Sequence, residues 1–156
     1  IAACSSPKET PAVASTSKVV DWSASAGPIR EGSDGSALMD VTIKGAIDGK
    51  WHVYSLTQTS GGPTPMTITV GPTPPYEKVA DVVGPTPTKA PDAEFGIETE
   101  TYSGAPVFIV PVKLDKSIAA SPPVLEIKVR SQACSDKLCL PVKTTTLQVT
   151  PEPAKS

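Results

Sequence analysis

The sequence predicts an all-β fold, an antiparallel sandwich of about eight or nine short strands. Three observations point there. The 156 residues include 18 prolines and 11 glycines, and each proline removes a backbone donor and clashes with the turn before it, so long helices are interrupted. Several segments alternate apolar and polar residues with a period of two, as a strand with one buried face does. Turn residues fall between those segments at regular spacing. The length suits one domain with tails. No stretch of about 20 apolar residues is present to cross a membrane as a helix. A net charge of -2 gives no basic footprint for nucleic acid.

The first expected strand is Val19-Val20-Asp21-Trp22-Ser23, followed by a polar loop from Gly27 to Gly35. Ala37 to Ile47 shows the clearest alternation, with Met39, Val41, Ile43 and Ile47 on one face and Asp40, Thr42 and Lys44 on the other. Asp48-Gly49 is a hairpin signal that returns the chain into Trp51-His52-Val53-Tyr54-Ser55. In that strand Trp51, Val53 and Ser55 share one face, and His52 and Tyr54 the other. Met66 to Val70 is the next strand and Tyr76 to Val83 a short one.

Gly84 to Asp92 contains Pro85, Pro87 and Pro91 and reads as an irregular crossing loop. Glu94 to Tyr102 alternates, and Ser103-Gly104 turns it into Pro106 to Leu114, where Pro111 suggests an edge or a bulge. Val124 to Ala133 alternates Leu125, Ile127 and Val129 with Glu126, Lys128 and Arg130, and a last strand runs through Thr144, Thr146, Gln148 and Val149. Trp22 and Trp51 read as core. The expected organisation is a leader remnant and flexible tether over 1–17, the sandwich over 18–150 and a polar tail over 151–156.

Chemistry concentrates in Ala133-Cys134-Ser135-Asp136-Lys137-Leu138-Cys139-Leu140-Pro141. Two strands joined by a four-residue loop bring residues five apart into opposition, with Cα atoms about 4.5 to 5.5 Å apart, inside the window a disulfide needs. A bridge that closes so short a loop stabilises little, and an exposed bridge of this kind is readily reduced. Lys137 adds a positive charge that favours a thiolate. Spacing alone leaves two readings open, a redox pair and a structural clip. Zinc is disfavoured, since the pair has only His52 to add as a ligand. No cofactor is expected.

The remaining cysteine lies in Ile1-Ala2-Ala3-Cys4, which resembles the end of a bacterial lipoprotein signal. That likeness makes Cys4 the lipidated residue and the chain a membrane-anchored protein of the bacterial periplasm or cell envelope, a compartment that permits disulfides. A spare thiol or an ordinary signal remnant is the plainer alternative.

Three segments, in order, resemble the N-terminal periplasmic domain of the thiol:disulfide interchange protein DsbD and its stand-alone relatives. They are Trp51 to Ser55 with Gly61-Gly62-Pro63-Thr64-Pro65; Glu94-Phe95-Gly96 leading to Tyr102-Ser103-Gly104; and Ala133 to Pro141. The resemblance covers about Val19 to Val149. It implies an immunoglobulin-like sandwich with the cysteine pair at one end, and Cys134 and Cys139 as catalytic residues. Cys139 would exchange with partners and Cys134 resolve. Phe95 would be a cap over the disulfide with Glu94 beside it, and His52 and Tyr54 would line the site. It also implies thioredoxin-like redox proteins as electron donor and acceptor, and an activity of the protein-disulfide reductase type.

Several positions depart from the family pattern. Four residues separate the cysteines where the best-known members have five, Ala93 stands where an acidic residue is usual, and Val142 replaces a second proline. This sequence carries no membrane electron relay or thioredoxin-like domain, so a separate redox partner is expected. The competing functional class is a lipid-anchored immunoglobulin-like binding or assembly module with a structural disulfide. Copper handling through soft thiolates is a third, thinly supported by two Met and one His. Taken one at a time, Phe95 and Tyr54 also suit ordinary packing, Glu94 a solvated charge, and His52 a satisfied imidazole.

Overall fold

The structure is a computed structural model that describes residues 19–32, 35–58, 62–92 and 96–154. Every strand pairing in it is antiparallel. The first sheet is centred on β3 (Ala37–Ile47), flanked by β1 (Val20–Ala26) and β9 (Val107–Leu114). β6 (Tyr76–Lys78) lies beyond β9, and β2 (Arg30–Glu31) pairs with the start of β3. The second sheet places β10 (Leu125–Ser131) between β12 (Lys143–Val149) and β5 (Thr67–Gly71). The third contains β4 (His52–Tyr54), β7 (Thr88–Asp92), β8 (Ile97–Tyr102) and β11 (Ala133–Cys134), in the order β11-β4-β8-β7.

Alternation decides the core. Met39, Val41 and Ile43 of β3, Phe108, Val110 and Val112 of β9, and Leu125, Ile127 and Val129 of β10 are all fully buried in one cluster. Burying each such side chain stabilises the fold by about 1.5 to 3 kcal/mol. The polar residues between them, such as Lys44, Lys128 and Arg130, face out. Trp22 is buried in the same cluster, its ring 6.2 Å from that of Phe108, and Trp51 packs half-buried at its margin. The sandwich is therefore as its alternation indicates, with β3 bounded as expected.

Three local readings change. The Asp48-Gly49 turn forms, with the Trp51 N–H donating to Asp48 O at 2.8 Å, but it is not a hairpin. β3 and β4 belong to different sheets, and the Asp48 N–H donates instead to Val19 O. The proline-rich stretch expected to be irregular contains β7, paired to β8 from Thr88↔Thr101 to Asp92↔Ile97. An edge strand needs hydrogen-bonding groups on one side only, so Pro91 is tolerated there.

Pro111 lies inside β9, a strand with neighbours on both sides. Its carbonyl accepts the Val79 N–H at 3.1 Å, so its nitrogen is aimed away from β3, beyond the last residue of β6. No β3–β9 hydrogen bond is lost. At the C-terminus Pro151 is buried and the Ala154 N–H donates to Ala119 O at 2.8 Å.

The candidate redox site on the small sheet

β10 passes into β11 through a single residue, Gln132, and so moves the chain from the second sheet to the third. Gln132 fastens that corner. Its Nε2 donates to Leu140 O at 3.3 Å, and its Oε1 accepts the Thr64 N–H at 3.2 Å. The segment leaving the cysteine loop and the loop after β4 are thus held by one side chain.

Cys134 and Cys139 are joined in a disulfide, with Cα atoms 4.0 Å apart. They are directly opposed in an antiparallel bridge, as the five-residue spacing requires, and sit somewhat closer than expected. Two backbone bonds of 2.8 Å, Ser135 N–H to Leu138 O and Leu140 N–H to Ala133 O, bracket the pair. Ser135 Oγ accepts the N–H groups of Lys137 at 3.1 Å and Leu138 at 3.3 Å, which closes the loop as a serine turn.

The two cysteines differ in exposure. Cys134, on β11, is 1% exposed, whereas Cys139 lies on the surface beside Leu138, itself 53% exposed. His52 of β4 is the direct register partner of Cys134. Its Nε2 and the Tyr54 hydroxyl share a hydrogen bond of 3.4 Å, its direction set by the imidazole tautomer. The two rings meet edge-to-face at 5.4 Å. Tyr54 is buried yet lies outside the main apolar cluster.

Four of the expected site residues, Cys134, Cys139, His52 and Tyr54, are therefore neighbours. Glu94, Phe95 and Cys4 lie outside the described residues. Among the described residues no group of three or more His, Cys, Asp or Glu could hold a metal.

Sequence reasoning singled out Lys137 and quoted Ser103 and Asp136 within its motifs, but missed most other polar groups around this sheet. An open cleft of about 790 Å³ beside His52 is lined by Lys50, Thr88, Ser103, Asp136 and Lys137. On the far side of β4, buried Ser55 donates from Oγ to Glu100 Oε1 at 3.0 Å, and Thr57 Oγ1 donates to the same oxygen. Gln58 Oε1 accepts the Glu100 N–H at 2.7 Å. The Thr57 hydroxyl holds the Glu100 carboxyl below its usual range, aided by Ser55 and the charge of Lys89 and opposed by burial. Of the residues in this Glu100 cluster only Ser55 lay in a recognisable motif.

The family model for the N-terminal domain of the thiol:disulfide interchange protein DsbD matches residues 34–151. The chain belongs to that family. The match spans β3 to β12 and the cysteine loop, so the cysteine pair lies inside the family's own region. The crystal structure of the Neisseria meningitidis DsbD N-terminal domain in the reduced form is similar, with a TM-score of 0.52 at 12% identity over 72% of this chain and 77% of that one. The N-terminal periplasmic domain of ScsB from Proteus mirabilis is similar with a TM-score of 0.53 at 21% identity, over 88% of this chain and 48% of that one. The chain thus spans about half the length of the ScsB domain. At these identities the two likenesses bear on the fold, which is the all-β, immunoglobulin-like architecture of the DsbD N-terminal domain. A comparison with curated proteins finds no match.

Proposed function

We propose that this DsbD-family domain is a thiol-disulfide exchange module that relays electrons between a thioredoxin-like donor and oxidised protein substrates outside the cytoplasm. The observation that carries this reading is the asymmetry of the pair: Cys139 is at the surface and Cys134 is buried beneath it. A docking partner's sulfur can reach Cys139 from the surface once the proposed Phe95 cap is displaced, while Cys134 reacts within the domain. In the reducing direction the Cys139 thiolate attacks a partner disulfide, one partner sulfur leaves as thiolate, and a mixed disulfide remains. Cys134 then attacks Cys139, the two cysteines become a disulfide, and the second partner sulfur leaves reduced.

Leu138 supports the same reading, because an exposed apolar side chain beside the reacting sulfur offers a partner a dry contact. His52 and Tyr54 line the site. Phe95, with Glu94 next to it, is proposed as a cap that keeps small thiols from the disulfide; Phe95→Ala would then speed reaction with small thiols without loss of fold, and unchanged rates would remove the cap. The proposed arrangement in the cell is a lipid anchor on Cys4, a tether over 1–17 and the exchange domain over 18–150. Incubating the reduced Cys134→Ser protein with an oxidised thioredoxin-like protein should accumulate a mixed disulfide through Cys139, and Cys139→Ser should abolish it. Equal trapping by both variants would overturn the assignment of roles.

A further inference from the structure

The proposed relay leaves one chemical problem at Cys134. Resolution needs its thiolate, yet the residue is 1% exposed, and burial away from water disfavours the charged form of a thiol. A partner held on Cys139 covers the site further. The proton must therefore pass to a group already inside it.

The register supplies one. Cys139 is opposed to Cys134, and Cys134 is opposed to His52, so the three residues form one row across adjacent strands. Directly opposed residues share a face of the sheet, with Cβ atoms about 4.5 to 5.5 Å apart. An imidazole at that place is within reach of the Cys134 sulfur. Its orientation is constrained by the hydrogen bond between Nε2 and the Tyr54 hydroxyl and by the edge-to-face contact of the two rings.

Among the described residues, the other titratable groups around His52 are less suited. Tyr54 is on its own strand, Cys134 faces it from β11, Asp136 and Lys137 approach from the cysteine loop, and Lys50 precedes β4. Thr88 of β7, Thr101 of β8 and Ser103, just after β8, line the same cleft, none of them titratable near neutral pH. Ordinary values are about 3.9 for Asp, 10 for Tyr and 10.4 for Lys, against about 6.5 for His. Only the imidazole is ordinarily both a competent base and a competent acid near pH 7. His52 is also the one histidine of the sequence.

We infer that His52 is the proton acceptor for Cys134 when that thiol resolves a mixed disulfide on Cys139, an inference that rests on the exchange reading above. The Sγ–H proton of Cys134 passes to the imidazole as its sulfur attacks Cys139 Sγ. The Cys134–Cys139 bond forms and the bond from Cys139 to the partner breaks. The electron pair leaves on the partner sulfur, which takes the proton back from the imidazolium. His52 acts through Cys134 and is a positioning and proton-holding residue, not one that touches the partner's reacting atoms.

The test uses the full chain with Cys4→Ser, reduced and mixed with dithiobis(nitrobenzoate), whose released thiolate is coloured. Attack by Cys139 releases one equivalent, and resolution by Cys134 releases the second in a separate phase. The second-phase rate should titrate with an inflection near the ordinary imidazole value of about 6.5. His52→Gln should slow that phase at pH 7 by about tenfold or more and move the inflection to or above the ordinary thiol value of about 8.5. Added imidazole should restore part of the rate to His52→Ala, which a purely structural role would not allow. Superimposable pH profiles for wild type and His52→Gln, with both phases present, overturn this inference and leave exchange standing. Failure of the wild type to release any thiolate overturns the exchange reading and this inference with it.

Discussion

The two halves of the fold are built differently. The β3, β9 and β10 strands are seven to eleven residues long, and their inward faces are closed to water and apolar except for Ser131 at the end of β10. The β11-β4-β8-β7 sheet has strands of two to six residues, and the polar residues Ser55 and Thr99 are buried in or beside it. Area buried against apolar partners holds the first region; the second adds hydrogen bonds such as those on Glu100 to the burial of Val53, Tyr102 and Ala133 in the same cluster. The lesson is a division of labour. The long strands carry most of the buried apolar core, and the cysteine pair sits on the sheet of short strands.

That contrast can be broken most severely from the core. Phe108 is fully buried and contacts the rings of Trp22 and Tyr102 at 6.2 and 5.1 Å, so Phe108→Ala should cost about 3 to 5 kcal/mol in chemical denaturation. Its folded fraction should keep normal thiol reactivity. Reduction of the disulfide should cost less. The closed loop has a sequence separation of only 5, which corresponds to about 2 kcal/mol in the loop-entropy relation. Denaturant titrations of oxidised and reduced protein will check this, and a loss as large as that of Phe108→Ala would make the bridge a structural element.

The smallest effect belongs to Glu100, held ionised by Thr57 first and then by Ser55 and Lys89, with burial acting against them. Because its folded value is depressed, the contribution is fully present above the ordinary carboxyl value of about 4.3 and disappears as pH falls through the folded value. Glu100→Gln should therefore cost about 1 kcal/mol or less at pH 7, and the deficit should close under acid. Thermal melts of both proteins across pH 3 to 7 measure it, and a deficit that persists at the acid end contradicts the assignment.

Legibility in the sequence follows the same division. β3 could be read from Ala37 to Ile47 because a half-buried strand writes its orientation into every second residue, and Leu125, Ile127 and Val129 of β10 were legible for the same reason. β7 was hidden, since prolines look like loop until an edge is known to be free on one side. The sheet change after β3 was hidden too, because a turn's residues fix its shape and not the strand that later pairs beside it. The cysteine pair is local and could be read from spacing. The difference in burial between Cys134 and Cys139, the clamp of Gln132 and the Ser55–Thr57–Glu100 bonds depend on residues distant in sequence, and no periodicity encodes them.

The most direct measurement is the equilibrium of Cys134 and Cys139 with graded glutathione or dithiothreitol buffers, in protein with Cys4→Ser, the thiols trapped and counted by mass. Exchange with thioredoxin-like partners predicts a reduction potential between about -120 and -270 mV. A pair that stays oxidised until below about -300 mV is a structural clip, and that result would contradict a redox role for the domain.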